Sequence, residues 1–255
     1  MSERAEKKTD LRHLKDVLGL CRAIDIFMKK RKTGMKNSTR FVTAGVFFLL
    51  FLALLFGVKF VDVKTIGPAD TQIGFASLNG AVHDFFSINM TLKTVTDCLG
   101  YGALSLVAVF AVLGVVRLVS EKSFKKVEPQ LYCLAGLYVA LGAVYVFFEK
   151  VIINYRPVLL KGDVTPEASF PSSHTMLGIT IFGSTAIMLG WYIKKDSLRK
   201  TLQLVLVLLS AGTAIGRLMS GVHWFTDIAA GVCISLSLVF MFSGVAHGFD
   251  KAVNR

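Results

Sequence analysis

The stretch Gly216–Asp227, with the sequence GRLMSGVHWFTD, places an arginine, a histidine and an aspartate between two strongly apolar segments. Ionisable side chains beside hydrocarbon are costly, so they usually face a protein interior or a wet cavity. His223 and Asp227 are four residues apart and would share one face of a helix that begins near His223. Such an aspartate would fix the tautomer of the imidazole and raise its basicity. The pattern also fits a helix end anchored at a membrane surface, so the stretch alone leaves both interpretations open.

Two further polar groups lie at the ends of apolar segments, KVIINYRP at residues 150–157 and PSSH at residues 171–174. The planar fork of an arginine gives paired, charge-assisted hydrogen bonds to phosphate. Ser172 and Ser173 precede an apolar helix, whose first-turn N–H groups can receive an anion. Two histidines suit a displacement in which one attacks as neutral imidazole and the other protonates the leaving oxygen. Each group alone is typical of a helix stop or an N-cap; their occurrence together favours phosphate chemistry.

The composition indicates a membrane protein. The chain has 255 residues, of which 53% are hydrophobic, and a mean hydropathy of +0.59, whereas a soluble domain is about 45–50% apolar. Several apolar runs have the roughly 18–20 residues needed to cross the hydrocarbon core of a bilayer. The sequence therefore predicts an all-α, polytopic membrane protein with six transmembrane helices, at about residues 41–58, 101–119, 131–148, 175–193, 201–219 and 225–247.

Residues 1–40 form a separate, basic segment with twelve Lys and Arg against five Asp and Glu. Apolar residues recur in it at helical spacing, which predicts an amphipathic helix on an anionic membrane face. A basic tail that is partly disordered is the alternative. The predicted organisation is thus a cytoplasmic segment, residues 1–40, followed by a six-helix membrane domain, residues 41–255.

The distribution of cations predicts the orientation. With the N-terminus inside, the cytoplasmic segments carry 22 Lys and Arg and the outer segments carry seven, which is a clear positive-inside bias. The three polar groups then lie at the outer face of a cell membrane. The net charge of +12 sits in short loops at the ends of spans, which argues against a nucleic-acid module and for contact with membrane lipids. Four scattered cysteines without a C-x-x-C pair argue against a zinc site or a disulfide framework.

In order along the chain, K…RP, PSxH and R-x5-H-x3-D resemble the three-part signature of the type 2 phosphatidic acid phosphatase (PAP2) family. These are membrane lipid phosphatases related to soluble bacterial acid phosphatases and vanadium haloperoxidases. The motifs span residues 150–227, and six spans with an outward site match the membrane branch. The third motif is the most specific of the three, and the first is the weakest.

The resemblance implies a role for each motif residue. His223 would be the nucleophile that forms a phosphohistidine, Asp227 would orient it, and His174 would be the general acid. The groups that would bind the phosphoryl oxygens are Arg156, Arg217, Ser172, Ser173 and Lys150. Members of the family work without a metal, and no cofactor is expected here.

The chain departs from the family pattern at three positions. Lys150 and Arg156 are separated by five residues instead of six, and Glu149 occupies the expected lysine position. One residue is about 100° of helix, so Lys150 would point elsewhere unless the helix is locally distorted. Ser173 stands where the family has glycine, a replacement that a role of the backbone N–H tolerates if the local dihedral angles are ordinary. Gly216 replaces a serine and removes one hydroxyl donor. The nucleophile, its orienting carboxylate and the general acid are all retained.

The expected function is hydrolysis of a lipid phosphomonoester or diphosphate at the outer face, with undecaprenyl diphosphate as the first candidate. Phosphatidylglycerophosphate and phosphatidate are alternative substrates, since no motif reads the lipid tail. A non-catalytic membrane scaffold or transporter is a further alternative. The spans show no obvious internal repeat, and the polar groups gather at one end of the spans, both of which argue against a transporter. The membrane setting argues against a haloperoxidase-like use of the same anion site. The sequence does not indicate an oligomeric state.

Overall fold

The computed structural model describes residues 35–160 and 165–253, the last four as backbone only. The chain divides into two units, Met1–Thr39 and Arg40–Arg255, and the fold below is that of the second. The amphipathic helix predicted in residues 1–40 lies outside the described residues.

Long helices dominate the described part of the chain. A short antiparallel pair of strands follows the first helix and pairs Lys64 with Ile73 and Thr65 with Gln72. The elements in chain order are α1 (Asn37–Phe60), β1 (Lys64–Thr65), β2 (Gln72–Ile73), α2 (Ala76–Phe86), α3 (Met90–Glu121), α4 (Pro129–Lys150), α5 (Ser173–Tyr192), α6 (Asp196–Met219) and α7 (Phe225–Val253).

Six of the described helices, all but α2, are long and apolar enough to cross a membrane, which confirms the predicted number and order of spans. The second span begins earlier than predicted, at Met90 instead of near residue 101. The side chain of Asn89 caps this helix by accepting from the N–H of Leu92 at 3.0 Å, and Lys93 pairs with Asp97 one turn later at 2.9 Å. A cap and an i,i+4 ion pair support a polar first part of the helix, which hydropathy alone does not register.

Helix α5 is the centre of the bundle and packs against α3, α4, α6 and α7. It is the most buried of the six spans: 61% of its most apolar 18-residue stretch is buried inside the protein. Small residues allow the close approach to α6: a Cβ at Gly178 would lie 2.9 Å from Cγ2 of Thr213. Small residues at helix interfaces let membrane helices approach closely, so α5 packs tightly against α6 at Gly178.

The connection from α4 to α5 folds back on itself. Tyr155 and Ala168 form an antiparallel bridge, the N–H of Arg156 donates to the carbonyl of Glu167 at 3.0 Å, and the N–H of Ser169 donates to the carbonyl of Asn154 at 2.9 Å. These bonds join the residues that follow α4 to the residues that precede α5.

The contact between α5 and α6 can be tested by Gly178→Ala. The added methyl would press on Thr213, whose β-branched side chain is stiff, and overpacking of this kind costs about 1–3 kcal/mol. We expect a lower midpoint of thermal unfolding in detergent. Gly212→Ala is the matched control, because a Cβ at Gly212 meets nothing within 4 Å. Equal midpoints for the two variants would contradict the packing.

Candidate active site

His223 lies in the short turn between α6 and α7. Gly221 in this turn has φ +69°, and a Cβ there would lie 2.2 Å from the carbonyl oxygen of Ser87, so only glycine fits. The buried Asn79 on α2 holds the start of α7, because its side chain accepts from the N–H of Thr226 at 3.1 Å and donates to the Thr226 hydroxyl at 3.0 Å. Helix α2 therefore fixes the turn that presents His223.

The two ring nitrogens of His223 have different partners. Nε2 lies 3.3 Å from a terminal nitrogen of Arg156, and because a guanidinium can only donate, Nε2 must accept. The proton is therefore on Nδ1, which donates to the hydroxyl of Ser169 at 2.9 Å. The Ser169 hydroxyl in turn donates to Oδ2 of Asp227. The sequence predicts a direct contact of His223 with Asp227, but the distance from Nδ1 to Oδ2 is 3.8 Å, and Ser169 lies between the two groups.

Asp227 is fully buried and accepts two more hydrogen bonds. The backbone N–H of Trp224 donates to Oδ2 at 3.0 Å, and the side-chain amide of Asn154 donates to Oδ1 at 3.3 Å. A buried carboxylate is stable only when it is hydrogen-bonded in this way. The carboxylate is consequently fixed in position and orients the Ser169 hydroxyl toward itself.

The electrostatics of the site keep His223 neutral. Burial, and then the positive charges of Arg156 and Arg217, lower the pKa of His223 well below its usual value near 6.5, while the contact with Ser169 acts weakly in the opposite direction. A lowered pKa means that the imidazole is unprotonated at neutral pH. Nε2 therefore carries a lone pair and no proton, so it can attack an electrophile once its contact with Arg156 is released.

The two arginines of the motifs are both brought to this site. Arg156 pairs through Nε with Glu167 at 2.8 Å and directs another guanidinium nitrogen at His223. Arg217, in the last turn of α6, is only 1% exposed. One of its terminal nitrogens bonds Asp97, and its Nε and other terminal nitrogen are buried without a protein partner among the described residues. Such donors suit the oxygens of a phosphoryl group.

His174 lies in the first turn of α5, with Nε2 3.1 Å from Oδ1 of Asp97. It lines a cavity together with Ser173, Arg156 and His223. Ser172 is placed differently: it is fully buried, its N–H donates to the carbonyl of Asp227 at 3.0 Å, and its hydroxyl accepts from Thr175 at 3.0 Å. Ser172 thus connects the start of α5 to α7. Of the two serines, only Ser173 is among the residues that line the cavity.

Lys150 is not brought to the cavity. It is the last residue of α4 and is exposed, while the neighbouring Glu149 lines the cavity instead. Helix α4 continues regularly to Lys150, so the one-residue offset in the first motif is not absorbed by a distortion. The side chain expected to contribute a phosphate-binding cation therefore lies outside the residues that surround the cavity.

Three residues of the site were not predicted: Asn154, Ser169 and Asp97. Asn154 and Ser169 lie within or beside the first two motifs, but their roles depend on the pairing of the two segments and have no sequence signal. Asp97 does have a sequence signal: like Arg217, it is an ionisable residue at the edge of an apolar run.

The cavity has a volume of about 210 Å³, below the roughly 300–1,000 Å³ of pockets for drug-sized ligands. Its polar wall contains Arg156, His174 and His223, and its apolar wall is formed by Tyr145, Phe148, Phe170 and Met176. A cavity of this size and lining suits a small anionic group that carries an apolar extension.

Comparisons with known proteins bear on the family and the fold of the chain. The chain is 26% identical over 151 residues to the decaprenylphosphoryl-5-phosphoribose phosphatase of Mycobacterium tuberculosis, covering 58% of this chain and 75% of that protein. Its fold is similar to the crystal structure of a transmembrane PAP2-type phosphatidylglycerolphosphate phosphatase from Bacillus subtilis, with a TM-score of 0.60, 18% identity, and coverage of 84% and 98% of the two chains. The model of the PAP2 superfamily matches residues 102–249. More than half of the chain is thus matched, and the protein belongs to the PAP2 superfamily of membrane phosphatases.

Proposed function

We propose that the protein removes phosphate from a lipid phosphomonoester or diphosphate at the outer face of the membrane, through a phosphohistidine on His223. The observation that carries this proposal is the directed chain from Asp227 through Ser169 to Nδ1 of His223, which leaves the Nε2 lone pair beside Arg156. A neutral, oriented imidazole beside unpaired arginine donors is the combination that phosphoryl transfer to nitrogen requires.

The first step forms the bond from Nε2 to phosphorus and breaks the bond from phosphorus to the leaving oxygen. His174 supplies the proton that the leaving oxygen takes up. The phosphoryl oxygens gain negative charge in the transition state, and the donors of Arg156, Arg217 and the Ser173 backbone stabilise them. The hydrogen bond from Nδ1 to Ser169 stabilises the positive charge that develops on the imidazole of His223.

The second step releases inorganic phosphate. Water attacks the phosphorus of the phosphohistidine, the bond from Nε2 to phosphorus breaks, and His174, now neutral, takes the proton of the attacking water. His223 and His174 thereby return to their initial protonation states. No residue in this cycle changes oxidation state, and the same two histidines serve both halves.

Undecaprenyl diphosphate is the substrate we propose first. The small cavity suits a phosphate-bearing headgroup, and its apolar wall suits the first atoms of a lipid chain attached to that headgroup. The relative from M. tuberculosis is named for a substrate with a decaprenyl chain, which supports a polyprenyl lipid. Phosphatidylglycerophosphate and phosphatidate remain alternatives, since their phosphates would meet the same donors.

An outward site and a cytoplasmic N-terminus are part of the proposal and rest on the 22-to-7 distribution of cations. An epitope tag inserted within residues 160–168, before α5, should react with antibody on intact spheroplasts. A tag at the N-terminus should react only after permeabilisation. If the inserted tag is labelled only after permeabilisation, the proposed orientation is wrong, but the proposed reaction is not affected.

The roles of the site residues predict a graded series of variants. His223→Ala should abolish phosphate release, because the atom that attacks phosphorus is lost. Asp227→Asn should lower kcat by about 10³–10⁴-fold, as loss of a tautomer-fixing carboxylate does elsewhere. Ser169→Ala should also lower kcat, since it breaks the chain between the two groups. The measurement is phosphate release in detergent, with Lys150→Ala as the matched control that should retain activity. Undiminished turnover in His223→Ala would refute the mechanism.

A substrate panel tests the proposed lipid. Purified protein should release phosphate from undecaprenyl diphosphate in the presence of EDTA, and vanadate, which mimics a pentacoordinate phosphoryl group, should inhibit it. Phosphatidylglycerophosphate, phosphatidate and a soluble phosphate ester are assayed in parallel, and kcat/KM is compared. A kcat/KM that is highest for a glycerophospholipid would reassign the substrate, and activity lost with EDTA would contradict the metal-free mechanism.

A further inference from the structure

Asp97 is a carboxylate of the site that none of the three motifs contains. It lies on α3, and its Oδ1 contacts both His174 Nε2, at 3.1 Å, and a terminal nitrogen of Arg217. Its Oδ2 pairs with Lys93 at 2.9 Å. One oxygen thus joins the proposed general acid to a proposed phosphate-binding arginine.

We propose that Asp97 is a positioning residue for His174 that fixes which nitrogen carries the exchangeable proton. The proposal rests on the proposed function, in which His174 protonates the leaving oxygen. A carboxylate that accepts from Nε2 keeps the Nε2 proton in place, as carboxylate partners of histidine generally do. General acid catalysis then requires the imidazolium form of His174, in which both nitrogens carry a proton. The Nδ1 proton is given to the leaving oxygen, the bond from Nδ1 to hydrogen breaks as the bond from hydrogen to that oxygen forms, and His174 is left neutral with its proton on Nε2.

The placement of the ring supports this assignment. A Cβ at Gly100 would lie 3.1 Å from Cδ2 and 3.6 Å from Nε2 of His174, so this edge of the imidazole faces α3. Nδ1 is on the other side of the ring, and it is buried without a hydrogen-bond partner among the described residues. A buried polar atom without a partner is costly, and the leaving oxygen of a substrate would supply the missing partner.

The charge of Asp97 is compensated by its neighbours. A carboxylate this close to a phosphate site would repel the substrate if it stood alone, but Lys93 and Arg217 each pair with one of its oxygens. Asp97 can therefore hold His174 in position without adding a net negative charge to the site. The second donor edge of Arg217 stays available, since its Nε and one terminal nitrogen have no protein partner in the described structure.

The packing of α3 allows this contact. Gly216, on α6, faces Thr96, and a Cβ at Gly216 would lie 2.6 Å from Cγ2 of Thr96. With Gly100 facing His174, two glycines let the backbone of α3 approach the other helices closely enough for a short aspartate to reach them. The position of Asp97 is therefore set by helix packing and does not depend on a mobile side chain.

The test compares leaving groups. An alkyl phosphate lipid needs a proton on its leaving oxygen, whereas the phenolate of 4-nitrophenyl phosphate leaves readily without one. Asp97→Asn removes the charge and keeps the shape. We expect it to lower kcat/KM by about 10- to 100-fold for the alkyl ester, a part of the 10²–10⁴-fold that general acid catalysis contributes, and by less than threefold for the aryl ester. Asp84→Asn, an exposed carboxylate on α2, is the matched control and should leave both values unchanged.

A double variant tests whether Asp97 acts through His174. If it does, adding Asp97→Asn to His174→Ala should cause no further loss on the alkyl ester, because coupled residues are not additive. Equal losses on the two esters would assign Asp97 to phosphate binding through Arg217 and overturn the proposal. A gain of activity would make Asp97 a competitor of the substrate and overturn it as well.

Two controls separate the possible failures. Thermal unfolding of Asp97→Asn in detergent checks that the fold is intact, and Asp97→Glu, which retains a carboxylate, should recover part of the activity on the alkyl ester. If His223→Ala keeps its turnover, the proposed function itself has failed. If His223→Ala is inactive and Asp97→Asn affects both esters alike, only the role of Asp97 is refuted.

Discussion

The burial of a guanidinium at the end of an apolar helix bundle is the constraint on which the site depends. Arg217 is 1% exposed, and a charge in such surroundings requires a partner. Asp97 supplies the partner from a helix that is distant in sequence, and the remaining donors of Arg217 are left for a ligand. The arrangement holds α3, α5 and α6 together at one end of the bundle. The unpartnered positive donors that remain there would be stabilised by a bound anion.

A second network positions His223, the proposed nucleophile, by the direction of its hydrogen bonds. Arg156 can only donate hydrogen bonds and the carboxylate of Asp227 accepts them, so every hydrogen bond between these two groups has a fixed direction. His223 is therefore in one tautomer, with its proton on Nδ1. The residues of this chain come from the two paired segments between α4 and α5 and from the start of α7. Catalytic geometry thus depends on backbone pairing in the connections as much as on helix packing.

The sequence predicted those parts of the molecule that have a local pattern. Hydropathy gave six spans, and motif spacing led to the association of Arg156, His174, Arg217 and His223 at one end of the bundle, where the structure brings them together. Lys150 was predicted from the first motif, in which its spacing from Arg156 is one residue shorter than in the family. On a helix this difference turns the side chain away, and Lys150 is exposed. The roles of Ser169 and Asp97 arise from contacts between segments remote in sequence, which no periodicity encodes. The early start of α3 came from a cap, which hydropathy does not detect.

The glycine at position 216 does more than remove one hydroxyl donor, because it also affects helix packing. Because its missing side chain is what lets Thr96 of α3 lie against α6, this glycine also determines how closely the helix that carries the carboxylate of Asp97 approaches the site. A serine restored at position 216 would compete for space with the helix that carries the carboxylate. The residue at position 216 therefore affects where a carboxylate from a neighbouring helix can lie, as well as which donors the third motif contributes.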